Sequence, residues 1–489
     1  MNSIKESLLD SAVWHGRGFA DGWQALNATR DVTEPATGGT LGTIGMADAA
    51  DIARAAKAAR AAQPAWAALP YERRAEILRA AAQAFAAATP EVAGWLVRES
   101  GSVTGKAHFE IGITIKALYE AAALPSQPIG QMLASQPGVM SLAKRVPLGV
   151  VGVIAPFNFP LYLAMRAVAP ALALGNAVVL KPDPRTSVCG GFAIARAFEK
   201  AGLPAGVLAV LPGDGAAGEA LCTSPDVAMI QFTGSTRAGR KVGETAGRML
   251  KKVSLELGGK NSLVILDDAD LDLAVRNATF GSFFHQGQIC MATGRILVHA
   301  KIARAFVDKL AEHVKAIPVG DPSKGDVALG PIIDRHQLDG ITSLVDATVS
   351  AGATLVAGGR ADGLFYAPTV IENVRPGMAA FENEVFGPVA LITTFGSDDE
   401  AVELANATDY GLAVGVISKD VTRAIALGER IHTGILHVND QTVADDIINP
   451  FGGSGASGNG TSVGGPGNSD EYTRWRWITI KGEAPPYPM

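Results

Sequence analysis

Cysteine is scarce in this sequence: Cys189, Cys222 and Cys290 lie far apart and form no CxxC pair, so neither a disulfide framework nor a metal site is predicted. Clusters of basic residues are also missing and the formal net charge is −6, which disfavours nucleic-acid and membrane-surface partners. The apolar run 146–159 contains Gly and Pro and is too short to span a bilayer. Residues 1–10 lack the apolar core of a signal peptide. These absences predict a cytoplasmic protein that acts on a small molecule.

Apolar residues are plentiful instead, at 48% of the 489 residues against 18% charged, which is enough to build a large core. At roughly 150 residues per domain, this length predicts two to three domains. The alanine-rich segment 48–88 carries charged residues at helical spacing. It therefore predicts two amphipathic helices, broken near Pro64 and Pro70.

Short β-branched runs alternate with helical segments along 150–257. Such alternation predicts right-handed βαβ units and an α/β fold with a doubly wound parallel sheet covered on both faces. A second α/β set runs over 262–438, while the segment 130–145 and a terminal strand at 475–481 lie outside both sets. The strands predicted for the first set are 150–155, 177–181, 207–211, 227–233 and 252–257.

Two glycine-containing segments are candidates for a phosphate-binding helix start. The first, 213–218, matches GxGxxG but lacks the acidic residue that a dinucleotide fingerprint needs after the next strand, and a capped turn explains it equally well. In the second, a strand ending at Phe232 is followed by Gly234 and Ser235, with Gly239 beyond. Free N–H groups and the positive end of the helix dipole would face a phosphate there. An ordinary Ser or Thr N-cap is the evenly weighted alternative.

Cys290 and Glu256 are the candidates for chemistry. A lone cysteine is usually a small buried hydrophobe, and the other two cysteines fit that description. Cys290 differs because Gly287 and the polar Gln288 precede it, which favours an accessible loop. Glu256 ends an apolar strand, where a carboxylate should have a raised pKa and can serve as a general base. A solvated edge residue is the alternative for Glu256.

Two further segments carry weaker signals. Asn158, between two prolines after an apolar strand, offers a side-chain amide that can stabilise an oxyanion, although a turn residue is the commoner role. Glu384 and Phe386 offer an acid and an aromatic that can hold a ribose and flank a ring. A surface acid beside a core aromatic before a turn is the commoner explanation of that pair when it is taken alone.

Together and in this order, these segments resemble the aldehyde dehydrogenase superfamily over nearly the whole chain. The signatures are the motif around Cys290, Glu-Leu-Gly-Gly-Lys at 256–260 and Glu-Val-Phe-Gly-Pro at 384–388. Within the superfamily the chain looks most like bacterial benzaldehyde dehydrogenases, through segments 145–147 and 284–288 and the Pro-Tyr-Pro ending.

The resemblance implies an aldehyde dehydrogenase-like fold with a Rossmann-type cofactor domain, an α/β catalytic domain and a small β oligomerisation element. It places the NAD(P)-binding domain at 1–128 and 146–258, and the catalytic domain at 259–457. Segments 129–145 and 458–489 would bridge subunits. The expected assembly is a homodimer or a homotetramer.

The resemblance also implies a mechanism. The Cys290 thiolate attacks the aldehyde carbonyl, the Asn158 amide and the Cys290 N–H stabilise the oxyanion, hydride passes to the nicotinamide, and Glu256 activates the water that hydrolyses the thioester. Retention of Glu256 favours hydrolysis over acyl transfer to coenzyme A. The phosphate site is then the helix start at Gly234 rather than 213–218. The cofactor contacts implied in this way are Ile154, Lys181, Phe232, Gly234, Ser235, Gly239, Leu257, Glu384 and Phe386.

The chain departs from the family pattern in the cofactor and proton-relay positions. Pro184 stands where NAD-restricted members carry a glutamate, and Arg185 follows it, so the expectation is NAD preference with some NADP use. Ala167 and Ser462 replace a relay lysine and a distal glutamate, so proton release must take another path.

An aromatic aldehyde such as a benzaldehyde is the expected substrate, with a semialdehyde or an aliphatic aldehyde as the alternative. Arg166 is a candidate for orienting a polar ring substituent, and a surface or structural arginine is an alternative of at least equal weight. A non-catalytic structural protein built on this fold is the alternative that is not an enzyme. The intact Cys290, Glu256 and Asn158 argue against it. The pocket residues expected from their place beside the motifs are Phe157, Tyr162, Arg166, Phe284, Ile289 and Met291.

Overall fold

The computed structural model describes residues 7–488; residues 1–6, part of the N-terminal stretch considered above, and Met489 lie outside the described residues. The strands are β1 Arg17–Ala20, β2 Gly22–Ala25, β3 Ala28–Thr33, β4 Thr40–Met46, β5 Gly130–Leu133, β6 Val139–Pro147, β7 Val150–Ile154, β8 Ala177–Lys181, β9 Leu208–Val210, β10 Met229–Thr233, β11 Lys252–Glu256, β12 Asn261–Ile265, β13 Thr293–His299, β14 Thr354–Ala357, β15 Ala361–Asp362, β16 Phe365–Tyr366, β17 Thr369–Glu372, β18 Val389–Phe395, β19 Tyr410–Gly411, β20 Ala413–Ile417, β21 Ile435–Val438, β22 Ser454–Gly455 and β23 Thr473–Lys481.

The α-helices alternate with these strands. They are α1 Ser11–Trp14, α2 Ala49–Ala68, α3 Tyr71–Ala87, α4 Thr89–Ser100, α5 Thr104–Ala123, α6 Pro160–Ala173, α7 Ala193–Lys200, α8 Gly215–Thr223, α9 Thr236–Arg248, α10 Leu271–Phe283, α11 Ala300–Lys315, α12 Arg335–Ser350, α13 Ala379–Glu382, α14 Asp398–Asn406, α15 Val421–Gly428 and α16 Gly467–Glu471. Single turns of other helix types cover Leu124–Ser126, Val188–Phe192 and Phe284–Gly287.

The first large sheet has the strand order β11-β10-β7-β8-β9-β1-β2, with β7 to β11 parallel and β1 and β2 antiparallel at one edge. Alternate residues of its strands face two different cores: Val151 and Val153 of β7 pack into one, Val150 and Ile154 into the other. Both faces are therefore covered, as the apolar strands predict. This confirms the doubly wound sheet expected from the alternation of strands and helices.

The chain builds this sheet outward from β7, first through β8 and β9 on one side and then through β10 and β11 on the other. The order therefore reverses between β7 and β10. In doubly wound sheets a crevice opens outside the carboxyl ends of the strands at such a reversal, and ligands bind there. The residues that end the parallel strands at this edge include Ile154, Lys181, Thr233 and Glu256.

The second large sheet has the order β14-β17-β18-β13-β12-β20-β21 and is parallel except for β14. Its strand β12 begins five residues after β11 ends, so the amino edge of this sheet faces the carboxyl edge of the first. A three-stranded antiparallel sheet, β23-β6-β5, stands apart and exposes Met132 and Trp477 at 74% and 73%. Within residues 7–488, no helix has the length and apolar content that would carry it across a membrane.

One helix break was predicted wrongly. Pro64 lies inside α2, which continues to Ala68, and only the break near Pro70 is present. The last turn of α2 persists because Trp66 is 1% exposed and its indole N–H donates to the Leu172 carbonyl at 2.9 Å. Burial of this side chain offsets the hydrogen bond that a proline removes from a helix interior.

Candidate active site

Cys290 lies in the short connection between α10 and β13, after a turn in which three consecutive residues have positive φ. These are His285 at 49°, Gln286 at 55° and Gly287 at 66°. At Gly287 a Cβ atom would overlap the carbonyl of Gly387, so only glycine fits there. The turn directs the following residues back between the two large sheets.

Side-chain hydrogen bonds fix this connection in place. The Asn261 amide donates to the carbonyls of Cys290 and Ala292, both at 2.8 Å. The Gln288 carboxamide oxygen accepts from the backbone N–H of Ile333 at 3.1 Å. Gln288 is therefore fully buried, and the expectation that it marks an accessible loop is wrong. Cys290 is partly exposed for a different reason, namely that it faces a cavity.

The electrostatic surroundings of Cys290 disfavour its thiolate in the protein alone. Burial raises the pKa of the thiol to about 12, and the carboxyl groups of Glu384, Glu256 and Asp445 add to the shift. A nucleophilic thiolate therefore needs a compensating positive charge nearby. Cys189 and Cys222 are 0% and 1% exposed, which confirms the prediction that they are buried.

Alkylation should report this raised pKa directly. Below its pKa a thiol gains thiolate about tenfold per pH unit, so iodoacetamide should modify Cys290 about ten times faster for each unit between pH 7 and 9. Mass spectrometry of tryptic peptides measures the rate, and the buried Cys189 and Cys222 serve as internal controls. A rate that levels off within this range would contradict the raised pKa.

Glu256 ends β11 with its side chain on the face opposite Val253, Leu255 and Leu257, as predicted. It is 5% exposed, and neither carboxylate oxygen has a hydrogen-bond partner among residues 7–488. Burial raises its pKa well above the ordinary value, although the Arg166 guanidinium acts in the opposite direction. It shares a small internal cavity with Arg166 and Cys290, so an apolar-walled carboxylate lies beside the thiol.

Asn158 lies between β7 and α6 and is held from two sides. Its amide nitrogen donates to the Gln288 carbonyl at 2.8 Å, which leaves one amide hydrogen free. The Lys106 ammonium donates to the Asn158 carbonyl at 2.8 Å and also pairs with Glu110. Glu110 in turn accepts from the N–H groups of residues 161 and 162 at the start of α6. A fully buried ion pair thus fixes the segment that carries Asn158.

The helix start at α9 lies beside the reversal of strand order in the first sheet. Ser235 is the N-cap, and its hydroxyl accepts from the Ala238 N–H at 3.4 Å. Phe232 and Ile154 are paired residues of adjacent strands and pack with Leu257 in one apolar cluster. At Gly239 a Cβ atom would overlap the Leu257 side chain. The first turn of α9 therefore approaches the sheet closely with N–H groups free, as an anion site requires.

Lys181 ends β8 at the same edge and is 8% exposed. Its ammonium donates to the Gly213 carbonyl at 2.8 Å, and burial lowers its pKa. The glycine segment 213–218 holds the N-cap of α8, where Asp214 accepts from the N–H groups of residues 216 and 217. That segment therefore has the structure of a capped turn.

Glu384 approaches the first sheet from the second. One carboxylate oxygen accepts from the Gly259 N–H at 3.1 Å, and at Gly258 a Cβ atom would overlap the carboxylate. Burial raises the pKa of Glu384 to about 7. Phe386 has a positive φ of 52°, and its ring meets that of Phe157 edge-on at 5.9 Å between centroids.

A cavity of about 320 Å³ leads to Cys290 and Asn158. Of the pocket residues expected from sequence, Tyr162, Phe284, Ile289 and Met291 line it, whereas Phe157 and Arg166 do not. The Phe157 ring instead lies under the Arg185 guanidinium at 4.2 Å. The lining residues that sequence reasoning missed are Phe109, Ile113, Phe159, Leu163, Phe280, Gln441, Val443, Ala444, Asp445 and Phe451.

Known proteins match both the sequence and the fold. The model of the aldehyde dehydrogenase family matches residues 23–478. A vanillin dehydrogenase from Amycolatopsis sp. is 53% identical over 485 residues, which are 99% of this chain and 100% of that protein. A benzaldehyde dehydrogenase (NAD+) from Pseudomonas putida is 47% identical, over 98% of this chain and 99% of that protein.

Among solved structures, a betaine aldehyde dehydrogenase from Staphylococcus aureus in complex with NAD+ superimposes with a TM-score of 0.94. It is 31% identical, and the match covers 99% of this chain and 98% of that chain. A family match along most of the chain, close relatives of the same length and a shared fold agree with one another. This chain belongs to the aldehyde dehydrogenase family.

Proposed function

We propose that this protein oxidises an aromatic aldehyde to the carboxylic acid with NAD as the preferred oxidant. The observation that carries this proposal is an apolar, aromatic-walled cavity that ends at the Cys290 thiol. Such walls favour a flat apolar ring over a charged or highly solvated chain. The names of the vanillin and benzaldehyde dehydrogenases to which the chain is similar support the same substrate class.

In this proposal the side chains act in sequence. The Cys290 thiolate attacks the carbonyl carbon, and the free amide hydrogen of Asn158 with the Cys290 N–H stabilises the oxyanion by about 3 kcal/mol per donor. When bound, the oxidised nicotinamide supplies both a positive charge beside the thiol and the acceptor for hydride. Glu256 then takes a proton from the water that cleaves the thioester.

The edge between the two sheets fits a dinucleotide. The helix start after Gly234, capped by Ser235, offers the N–H groups of its first turn to a pyrophosphate, and Lys181 lies at the end of β8 for a ribose. Glu384, partly neutral near pH 7, is placed for the second ribose with Phe386 beside it. The cluster that contains Ile154, Phe232 and Leu257 offers apolar contacts to the dinucleotide. Gly239 lets α9 pack closely against Leu257.

NAD should be used at least about tenfold more efficiently than NADP, by kcat/KM. Arg185 is the nearest candidate for a 2′-phosphate, but it is held by Asp183 and Asp334, both at 2.7 Å. One missing charge-assisted hydrogen bond is worth about that factor. Arg185→Gln should leave the NAD to NADP ratio unchanged, and a selective loss of NADP activity would show that Arg185 binds the phosphate.

The substrate class is tested by a panel of aldehydes measured with both cofactors. Benzaldehydes should have higher kcat/KM values than short aliphatic aldehydes and carboxylated semialdehydes of similar solubility. The reverse ranking would replace the aromatic proposal with the aliphatic one. No NADH formation with any aldehyde would favour a non-catalytic role.

Assembly, domain limits and location extend the proposal. We infer a homodimer or homotetramer that forms through the β23-β6-β5 sheet, because its two outer strands are unpaired edges with large exposed apolar side chains. Cofactor binding by 1–128 and 146–258 and catalysis by 259–457 would then follow the division between the two large sheets. The free thiols fit a reducing cytoplasm. Mass photometry measures the oligomeric state, and a monomer would overturn the inferred assembly.

A further inference from the structure

Among residues 7–488, Asp445 is the one carboxylate that lines the cavity of about 320 Å³, as distinct from the small internal cavity that holds Glu256. Its side chain is 11% exposed and is held through a single oxygen. Oδ2 accepts from the Tyr162 hydroxyl at 3.0 Å and from the Arg166 guanidinium at 2.6 Å. The other oxygen, Oδ1, accepts no hydrogen bond from any described residue. The carboxylate is thus fixed in direction with one acceptor left open.

Arg166 does not line the cavity but supports this carboxylate from behind. Its second terminal nitrogen donates to the Val463 carbonyl at 3.2 Å, and the guanidinium lies over the Phe451 ring at 4.3 Å. An arginine held in this way cannot turn toward a substrate. The expectation that it orients a ring substituent is therefore transferred to Asp445, with Arg166 and Tyr162 as positioning residues.

Asn158 and Gln441 are the other polar side chains to account for. Asn158 donates one amide hydrogen to the Gln288 carbonyl and keeps the other for the oxyanion beside the thiol, while its Oδ1 has no partner among residues 7–488 but is fully buried. Gln441 bonds at both ends of its amide, to the Asp440 carboxylate and the Val443 N–H. Most other walls are apolar and the Asp445 side chain is only 11% exposed, so leaving its second oxygen without a partner costs free energy that a donor on the ligand would offset.

We propose that Asp445 is a specificity-determining residue that accepts a hydrogen bond from a hydroxyl group on the aromatic ring of the substrate. The preferred substrates are then hydroxylated benzaldehydes rather than benzaldehyde itself or its O-methylated forms, which lack a donor. This inference rests on the proposed function, since it names the ring substituent that the same cavity selects.

The variant Asp445→Asn tests the inference because it replaces the unpaired acceptor, Oδ1, with a hydrogen-bond donor. Tyr162 and Arg166 both donate to the Oδ2 position, so the asparagine oxygen must take that place. Its NH2 group then occupies the Oδ1 position and presents a donor to the cavity. The ratio of kcat/KM for hydroxybenzaldehydes to that for benzaldehyde should fall about 10- to 100-fold, while the ratio for methoxybenzaldehydes should rise.

The 2-, 3- and 4-substituted aldehydes are measured separately, and the isomer with the largest fall identifies the ring position that meets Asp445. Asp446→Asn is the matched control, because it removes the same charge from the adjacent exposed residue, which does not line the cavity. Equal changes in the two variants would overturn the inference.

The unmodified protein provides a second measurement that does not depend on whether Asp445→Asn folds. It should oxidise at least one hydroxybenzaldehyde with a kcat/KM about tenfold or more above that of the matching methoxybenzaldehyde. Equal values for every isomer overturn the role of Asp445 while leaving aromatic aldehyde oxidation intact. Failure to oxidise any benzaldehyde overturns the proposed function itself.

Discussion

Cys290→Ala should lower kcat for aldehyde oxidation by a factor on the order of 10⁴ or more, because removal of a covalent nucleophile eliminates the whole acylation route. NADH absorbance at saturating aldehyde measures the loss. The fold should survive, since the connection that carries the residue is held by Asn261 and Gln288 through groups that the substitution does not touch.

Two controls make this result specific. Cofactor binding by Cys290→Ala, followed by thermal shift with NAD, should match that of the unmodified protein. Cys222→Ala should retain most of the activity, because that thiol is buried in α8, away from the cavity. Substantial turnover by Cys290→Ala would mean that another group forms the covalent intermediate, or that none does.

Glu256→Gln should separate the two halves of the reaction. Acylation needs no proton acceptor at this position once the thiolate has formed, so stopped-flow absorbance should show a burst of NADH close to one per active site. Hydrolysis loses its general base, and steady-state turnover should fall by about 10²- to 10⁴-fold. Mass spectrometry should find the acyl group on Cys290. Full steady-state turnover would remove Glu256 from the mechanism.

The melting temperature of Glu256→Gln serves as a control, because the raised pKa of Glu256 fixes the direction in which it should change. Burial raises the folded-state pKa of Glu256 above its unfolded value, so the stability that its neutral form provides is lost as pH rises above the unfolded pKa. At pH 8 the glutamine variant avoids the cost of an ionised buried carboxylate and should melt no lower than the unmodified protein. A lower melting temperature there would show that the carboxylate has a structural partner.

The positions of several site residues can be predicted from the sequence, because they depend on the local succession of strands and helices. Ile154, Lys181 and Glu256 end apolar, β-branched runs, and parallel strands bring their carboxyl ends to one edge. Gly234, two residues after Phe232, predicts the helix start beside these strand ends. Those placements follow from periodicity and from the fixed hand of βαβ units.

The remainder depends on long-range packing that no local pattern records. Glu110 caps α6 from α5, about 50 positions earlier in the chain, and nothing around it indicates that partner. Asp445 is held by Tyr162 and Arg166, about 280 positions earlier in the chain, and no local pattern indicates that contact. Gln288 was misread because polarity suggests solvent, whereas this carboxamide is buried on a backbone N–H of a distant segment. The family resemblance predicted the catalytic roles of Cys290, Glu256 and Asn158 more strongly than the spacing of these residues did.

The buried supports of the reacting groups are separate from the outer walls of the cavity. Cys290 and Asn158 rest on the hydrogen bonds of Asn261 and of the Lys106–Glu110 pair, while the outer wall includes two side chains at the protein surface, Phe109 on α5 and Phe280 on α10, which are 50% and 46% exposed. After gene duplication, a copy of this protein can therefore acquire a new aldehyde range through changes at solvent-facing wall positions. Its reaction chemistry and its folding core would be inherited unaltered.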